Sequence, residues 1–288
     1  MGVLCAECWI NQTSYADLTT EEKTSRQLRG DGQKRLLQQA LNFQEAHNDN
    51  LNGKIAGDAN WLMFDYKRGY APDIESSGIM DIFRLPKFAY YFYQSQRDVQ
   101  ESKPMLFIAN YWNDMAEKNV KIYSNCDQVE LFLNGKSLGR QSPDTGRVNN
   151  NLKHAPFTFT CNYQAGTLTA KGYLDGKLII TSERRTPQTA TQLLLNIDFS
   201  GKKLVAGKND VVFVHVSVLD NNGTVIPSAS QEVQLHVVGD AEVVGENKVK
   251  AEAGIAGFLL RAGAGKGTLK LQATAPGLKP ATFNLVVQ

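Results

Sequence analysis

Flat rings and charged groups crowd together between Asn60 and Asp98, in the run NWLMFDYKRGYAPDIESSGIMDIFRLPKFAYYFYQSQRD. Trp61, Phe64, Tyr66, Tyr70, Phe83 and Tyr90 to Tyr93 are interleaved with Asp65, Arg68, Asp73, Glu75 and Asp81. Such a mixture suits a sugar, because rings stack on the C–H faces of a pyranose while carboxylates and a guanidinium hold its hydroxyls. Trp61, Asp65, Tyr66 and Arg68 are the candidate substrate-binding residues. For Trp61 the competing reading is a core ring between two elements. Asp65 and Tyr66 divide between support of a substrate and structural hydrogen bonding, since a buried Asp or Tyr needs polar partners in any fold. Arg68, Asp73 and Glu75 fall on a loop, where a solvated charge is the commoner case.

The other reactive side chains form no such constellation. His215 and His236 read as solvent-face residues of strands, His154 as a loop residue and His47 as the end of a helix, where the C-terminal dipole favours a partial positive charge. No two of the four histidines are spaced as ligands, so no metal site is expected. Cys5 and Cys8 form a CxxC without a second pair at zinc spacing, and Cys126 and Cys161 read as two half-buried thiols. No cofactor is implied.

A net charge of +2 over 288 residues gives no footprint for nucleic acid. No stretch approaches the roughly 18 consecutive apolar residues of a membrane span, and Met1 to Ile10 lacks the basic and apolar regions of an export signal. The length accommodates two or three domains, each with its own core.

The elements that must position the aromatic run change character along the chain. Residues 19 to 50 read as one helix: Thr19 or Thr20 caps it, Glu21 and Glu22 favour its start, and Leu36, Leu37, Ala40 and Leu41, with Phe43 or Gln44, make an apolar stripe. Gly30 and Gly32 are weak points that could divide it. Ala59 to Phe64 then suits a short buried parallel strand, and a second helix runs from about Pro86 to Ser95. Helix, strand and helix in this order read as the end of a βα-barrel. From Met105 the period falls to two, in MLFIANYW, VKIYSN, VELFL, FTFTCNY, TLTAKGY and KLIITS, with Asn134-Gly135 and Asp175-Gly176 as hairpin turns. Val129, Leu131 and Leu133 share one face of such a strand. SERRTPQTA reads as a polar linker, and about seven further strands follow, the pattern of an immunoglobulin-like sandwich.

WLMFDYKRGY, SGIMDIFRLPK and YYFYQSQRD together resemble the end of the catalytic barrel in bacterial family 2 glycoside hydrolases of the β-galactosidase type. The strand-rich remainder resembles that family's C-terminal sandwich modules. The resemblance implies a mainly β chain: residues 1–98 as the helix-strand-helix remnant of a (β/α)8 barrel, 104–185 as a β-sandwich, and 188–288 as an immunoglobulin-like β-sandwich. It implies a β-galactoside or related glycan as ligand, Trp61 as a wall of the galactose subsite, and a periplasmic or secreted setting. The family's two glutamates, in an Asn-Glu pair and a Glu-Tyr-Gly-Asp segment, have no match in these 288 residues, so no catalytic residue is assigned and the chain alone is expected to be inactive. Glu7 is out of register with the nucleophile. Met1 to Ile10 can be encoded so that reading one base later gives Trp-Glu-Tyr-Tyr-Ala-Gln-Asn-Ala-Gly, which is similar to the family's own sequence, and residues 1–10 are therefore expected to be a frameshift product. The apolar faces of a partial barrel must pack on the first sandwich, self-associate or stay exposed. The alternative reading is a carbohydrate-binding or structural sandwich protein without chemistry. An adhesion protein of immunoglobulin-like repeats would explain the last module but not WLMFDYKRGY.

Overall fold

The computed structural model describes residues 27–53, 57–69 and 74–288. The proposed caps Thr19 and Thr20, Glu21 and Glu22, the CxxC of Cys5 and Cys8, Glu7, the frameshift segment 1–10, Tyr70 and Asp73 all lie outside the described residues. The chain divides into two units, Met1–Thr186 and Pro187–Gln288.

In the first unit helix α1 spans Gln33–Asn52, shorter than the single helix expected over residues 19 to 50. Gly32, at φ +96°, separates α1 from a 3-10 turn at Arg29–Asp31. That left-handed region is open to glycine and closed to most residues, so the helix starts there. Leu36, Leu37, Ala40 and Phe43 form its buried stripe. Helix α2 spans Phe88–Ser95, with Lys87 rather than Pro86 at its N-cap.

The strand expected over Ala59 to Phe64 does not form. Phe64 makes one parallel bridge to Met80, and among the described residues the backbone of this segment is engaged by residues 79 and 80: Ile79 N–H donates to Leu62 O at 3.1 Å and Met80 N–H to Met63 O at 3.0 Å. Trp61 and Met63 are about half exposed, so the apolar run is not buried on two sides as a parallel barrel strand would be. Instead β1 (Tyr66–Lys67) and β2 (Ile74–Glu75) form a small antiparallel pair.

The sandwich of this unit has a three-stranded sheet, β3 (Leu106–Ala109), β4 (Asn119–Ser124) and β7 (Phe157–Thr160). Facing it is a four-stranded sheet of β6 (Lys136–Gln141), β5 (Gln128–Leu133), β8 (Thr167–Leu174) and β9 (Lys177–Arg185). Leu106, Ile108, Val120, Ile122, Val129, Leu131, Phe157 and Leu168 fill the space between the sheets. Alternation sends Met105, Phe107 and Ala109 to the other side of β3, where they meet Leu36, Phe43, Phe88 and Phe92 of the helices. The helices thus cover the outer face of the sandwich, one of the three outcomes open to them. Cys126 and Cys161 are buried free thiols. SERR belongs to β9 rather than to a linker. Arg184 donates to Ile108 O at 3.3 Å and lies over the Phe107 ring, which carries the strand on to Arg185.

The second unit is a sandwich of eight strands, not about seven. Strands β10 (Gln192–Asp198), β11 (Val211–Leu219), β15 (Ile255–Ala262) and β13 (Ala241–Val244) make one sheet. The other consists of β14 (Lys248–Lys250), β12 (Glu232–Val238), β16 (Gly267–Thr274) and β17 (Ala281–Val287). His215 is buried rather than on a solvent face: β11 lies between β10 and β15, and the ring stacks beside Phe213. His236 is exposed, beside Thr274.

Candidate functional site

Trp61, Leu62, Met63, Phe64, Asp65 and Tyr66 line one open depression of the first unit. Its outer wall consists of the Trp61 and Tyr66 rings, 52% and 38% exposed. Asp65, between them in the chain, turns inward. Its Oδ1 accepts from Lys87 Nζ at 2.8 Å and from Gly78 N–H at 2.9 Å, and its backbone N–H donates to Met80 O at 2.9 Å. The side chains of both Asp65 and Lys87 have no solvent exposure. Burial pushes the Asp65 carboxyl up to about 6, outweighing the opposing pull of the Lys87 charge and the Gly78 N–H.

Arg68 pairs with Glu75, whose Oε1 also accepts from Ser77 N–H at 3.3 Å. Glu75 is buried rather than a solvated loop acid. Arg84 lies 5.1 Å over the Phe64 ring. Asp81 pairs with Arg29 at 2.7 Å and accepts from the N–H groups of Phe83 and Leu85, holding the turn that leads to α2. Thus Trp61 and Tyr66 stand outward with two ring surfaces available for stacking, while Asp65 and Arg68 are drawn into ion pairs behind them. The sequence does not single out Lys87 and Gly78, which hold the Asp65 carboxylate, or Ser76, whose carbonyl accepts from Lys87. A lysine after a proline at a helix start reads as solvated, and the one local hint was the glycine in SSGIMD.

The remaining histidines serve structure. His47 Nδ1 meets Asp58 at 2.7 Å and its ring lies edge-on to Phe92 and Tyr93. His154 Nε2 meets Asp98 at 2.8 Å. Among the described residues no group of three His, Cys, Asp or Glu side chains is placed to hold a metal, and no helix is long and apolar enough to cross a membrane.

Residues 195–284 match the model of glycoside hydrolase family 2 C-terminal domain 5, and residues 116–180 match a domain of unknown function, DUF4982. The chain is 36% identical over 219 residues to a β-galactosidase of Thermoanaerobacter pseudethanolicus, covering 69% of this chain and 29% of that protein. It is 28% identical over 255 residues to the β-galactosidase BoGH2A of Bacteroides ovatus, covering 81% and 29%. A putative β-glucuronidase of Formosa agariphila is 31% identical over 204 residues, covering 66% and 18%. The chain therefore spans less than a third of the length of these relatives. Among solved structures, a β-glycosidase from Bacteroides vulgatus superposes with a TM-score of 0.69 at 26% identity, over 80% of this chain and 31% of that one. By these matches the chain belongs to glycoside hydrolase family 2 and carries modules from the C-terminal part of such proteins.

Proposed function

We propose that this chain is the C-terminal portion of a β-galactosidase-type family 2 glycosidase, that Trp61 and Tyr66 supply an aromatic wall for its sugar, and that these 288 residues alone do not hydrolyse β-galactosides. The observation that carries the reading is the division of labour around Trp61: outward rings, with Asp65 and Lys87, and Arg68 and Glu75, committed to ion pairs. A retaining mechanism needs two carboxylates about 5 Å apart, one as proton donor and one as nucleophile. Here Asp65 is bound to Lys87 and Glu75 to Arg68, so neither acid is presented to a glycosidic oxygen.

The same pairing favours a neutral galactoside over a glucuronide. A uronate carboxylate calls for a charge-assisted partner; Arg68 and Lys87 already hold carboxylates, and the Arg84 guanidinium lies over the Phe64 ring. Lys67 is exposed, but strand alternation sends it to the face opposite Tyr66. The relatives named β-galactosidase support this choice, while those named β-glucuronidase define the competitor.

The test is to incubate the purified chain with p-nitrophenyl β-galactoside and p-nitrophenyl β-glucuronide, and to titrate it with the phenyl analogues of both. The expected result is no turnover of either and weak binding of the galactoside that disappears in Trp61→Ala. Turnover lost in Asp65→Asn, or preferential binding of the glucuronide, would overturn the reading.

A further inference from the structure

Lys87 is a lysine with its entire side chain removed from water. Its Nζ donates to Asp65 Oδ1 and to Ser76 O, both at 2.8 Å, and its backbone N–H donates to Ile79 O at 3.0 Å. Asp65 of the sugar-facing segment and the Ser76 carbonyl therefore converge on one ammonium at the start of α2. A buried ammonium is costly to desolvate and keeps its place only with its partners in position, so the pair tolerates little displacement. Gly78 tightens the fit: a Cβ there would stand 2.3 Å from Asp65 N and 2.5 Å from the Phe64 carbonyl carbon. Tyr66 follows Asp65 directly and Trp61 precedes it by four residues. Both rings are partly exposed, so packing covers only part of each.

We infer that Lys87 is the positioning residue of the aromatic wall: its ion pair with Asp65 sets where Trp61 and Tyr66 stand before a sugar arrives. This rests on the proposal that those rings face the sugar. The charged groups around Asp65 are Lys87 at the start of α2 and Asp81 in the turn before it, which is itself paired with Arg29. Glu75 on β2 is paired with Arg68. Acid therefore reaches the wall through Asp65, whose carboxyl titrates near 6 because burial raises it.

The chain labelled with 5-fluorotryptophan reports this directly by fluorine NMR, the Trp61 signal being assigned by its loss in Trp61→Phe. Lys87→Met is expected to shift the Trp61 signal, to leave that of Trp112 in the sandwich core unchanged, and to weaken phenyl β-galactoside binding. Lys87→Arg is expected to restore part of both. In the unsubstituted chain the Trp61 signal should titrate with a midpoint near 6, and Asp65→Asn should abolish that titration. If Lys87→Met also disturbs Trp112, the titration of the unsubstituted chain decides. A Trp61 signal indifferent to Lys87→Met while Trp112 is intact, or one without a titration near that midpoint, would overturn the inference. A signal that obeys Lys87 but ignores every galactoside would leave the positioning role standing and remove the sugar reading.

Discussion

Asn151 donates two hydrogen bonds to Asn48, 103 residues away in the chain: its N–H to Asn48 Oδ1 at 3.0 Å and its Nδ2 to Asn48 O at 3.2 Å. Asn48 also donates to Arg147 O at 2.8 Å, and Gln44, one turn earlier on α1, donates to Asn149 Oδ1 at 2.6 Å. Arg147 pairs with Glu45 on the same helix. The apolar stripe of α1 binds the sheet non-directionally, whereas these amides fix the register of the helix against the loop over residues 145–151.

Asn48→Ala is expected to cost about 1 to 3 kcal/mol, because Asn48 is fully buried and its loss leaves the Asn151 N–H and the Arg147 carbonyl without partners. Thermal melting checks the magnitude. Hydrogen exchange checks the place: amides of residues 146–152 should lose protection while those of the second unit keep theirs.

Gly78→Ala tests the close approach beneath the aromatic wall. The three nearest atoms to the added methyl are all backbone, at 2.3 to 2.6 Å, so no side chain can swing aside and the 64–65 segment must move. A cost of about 2 to 3 kcal/mol is expected in denaturant titration, at the upper end for overpacking, together with a changed Trp61 fluorescence. An unchanged midpoint would mean that this segment is looser than its hydrogen bonds indicate.

Much of the fold was legible where one face of a strand is buried. In β5 the alternation of Val129, Leu131 and Leu133 identified the inward face, and both hairpins have their Asn-Gly and Asp-Gly pairs at positive φ, 50° and 81° for Asn134 and Gly135, 50° and 76° for Asp175 and Gly176. Alternation gives the direction of a side chain but not what lies above it. Alternation alone places His215 on the solvent side, yet its ring is buried and stacks beside Phe213. The apolar run Ala59 to Phe64 was legible as hydrophobic but not as irregular, since the pattern carries no information about which partners its backbone finds. Trp61 and Tyr66 stand out in the sequence as candidate rings, and the structure leaves both partly exposed. Their anchor does not stand out, because Lys87 meets Ser76 and Asp65 at sequence separations of 11 and 22, beyond any local pattern.

In the second unit, Asp220 accepts the N–H groups of Gln188, Asn222 and Thr224 at 2.8 to 2.9 Å. Burial alone would raise its pKa, but these donors outweigh it and hold the carboxyl below the ordinary aspartate value of about 3.9. A depressed pKa stabilises the fold above the unfolded value, and that contribution disappears as the pH falls through the folded one. Asp220→Asn is therefore expected to melt earlier than the unsubstituted chain at pH 7 and to converge with it in strong acid. A difference independent of pH would show that geometry, not charge, makes the contribution.

Asp65 has the opposite sign. Its folded value of about 6 lies above the unfolded 3.8, so the folded chain holds this proton more tightly. The associated stability is fully present below the unfolded value and is lost as the pH rises through about 6. Asp65→Asn alone leaves the Lys87 ammonium beside a neutral amide, as protonation of Asp65 leaves it beside a neutral carboxyl in the unsubstituted chain, and should give a profile without the titration. The double variant Asp65→Asn, Lys87→Met removes both charges together. Relative to the unsubstituted chain it is expected to be less stable near pH 4 and to regain the difference by pH 7, by on the order of 2 to 3 kcal/mol. Denaturant midpoints measured across this range for all three proteins decide the matter. Parallel pH profiles for the unsubstituted chain and the double variant would mean that Asp65 does not carry the titration assigned to it.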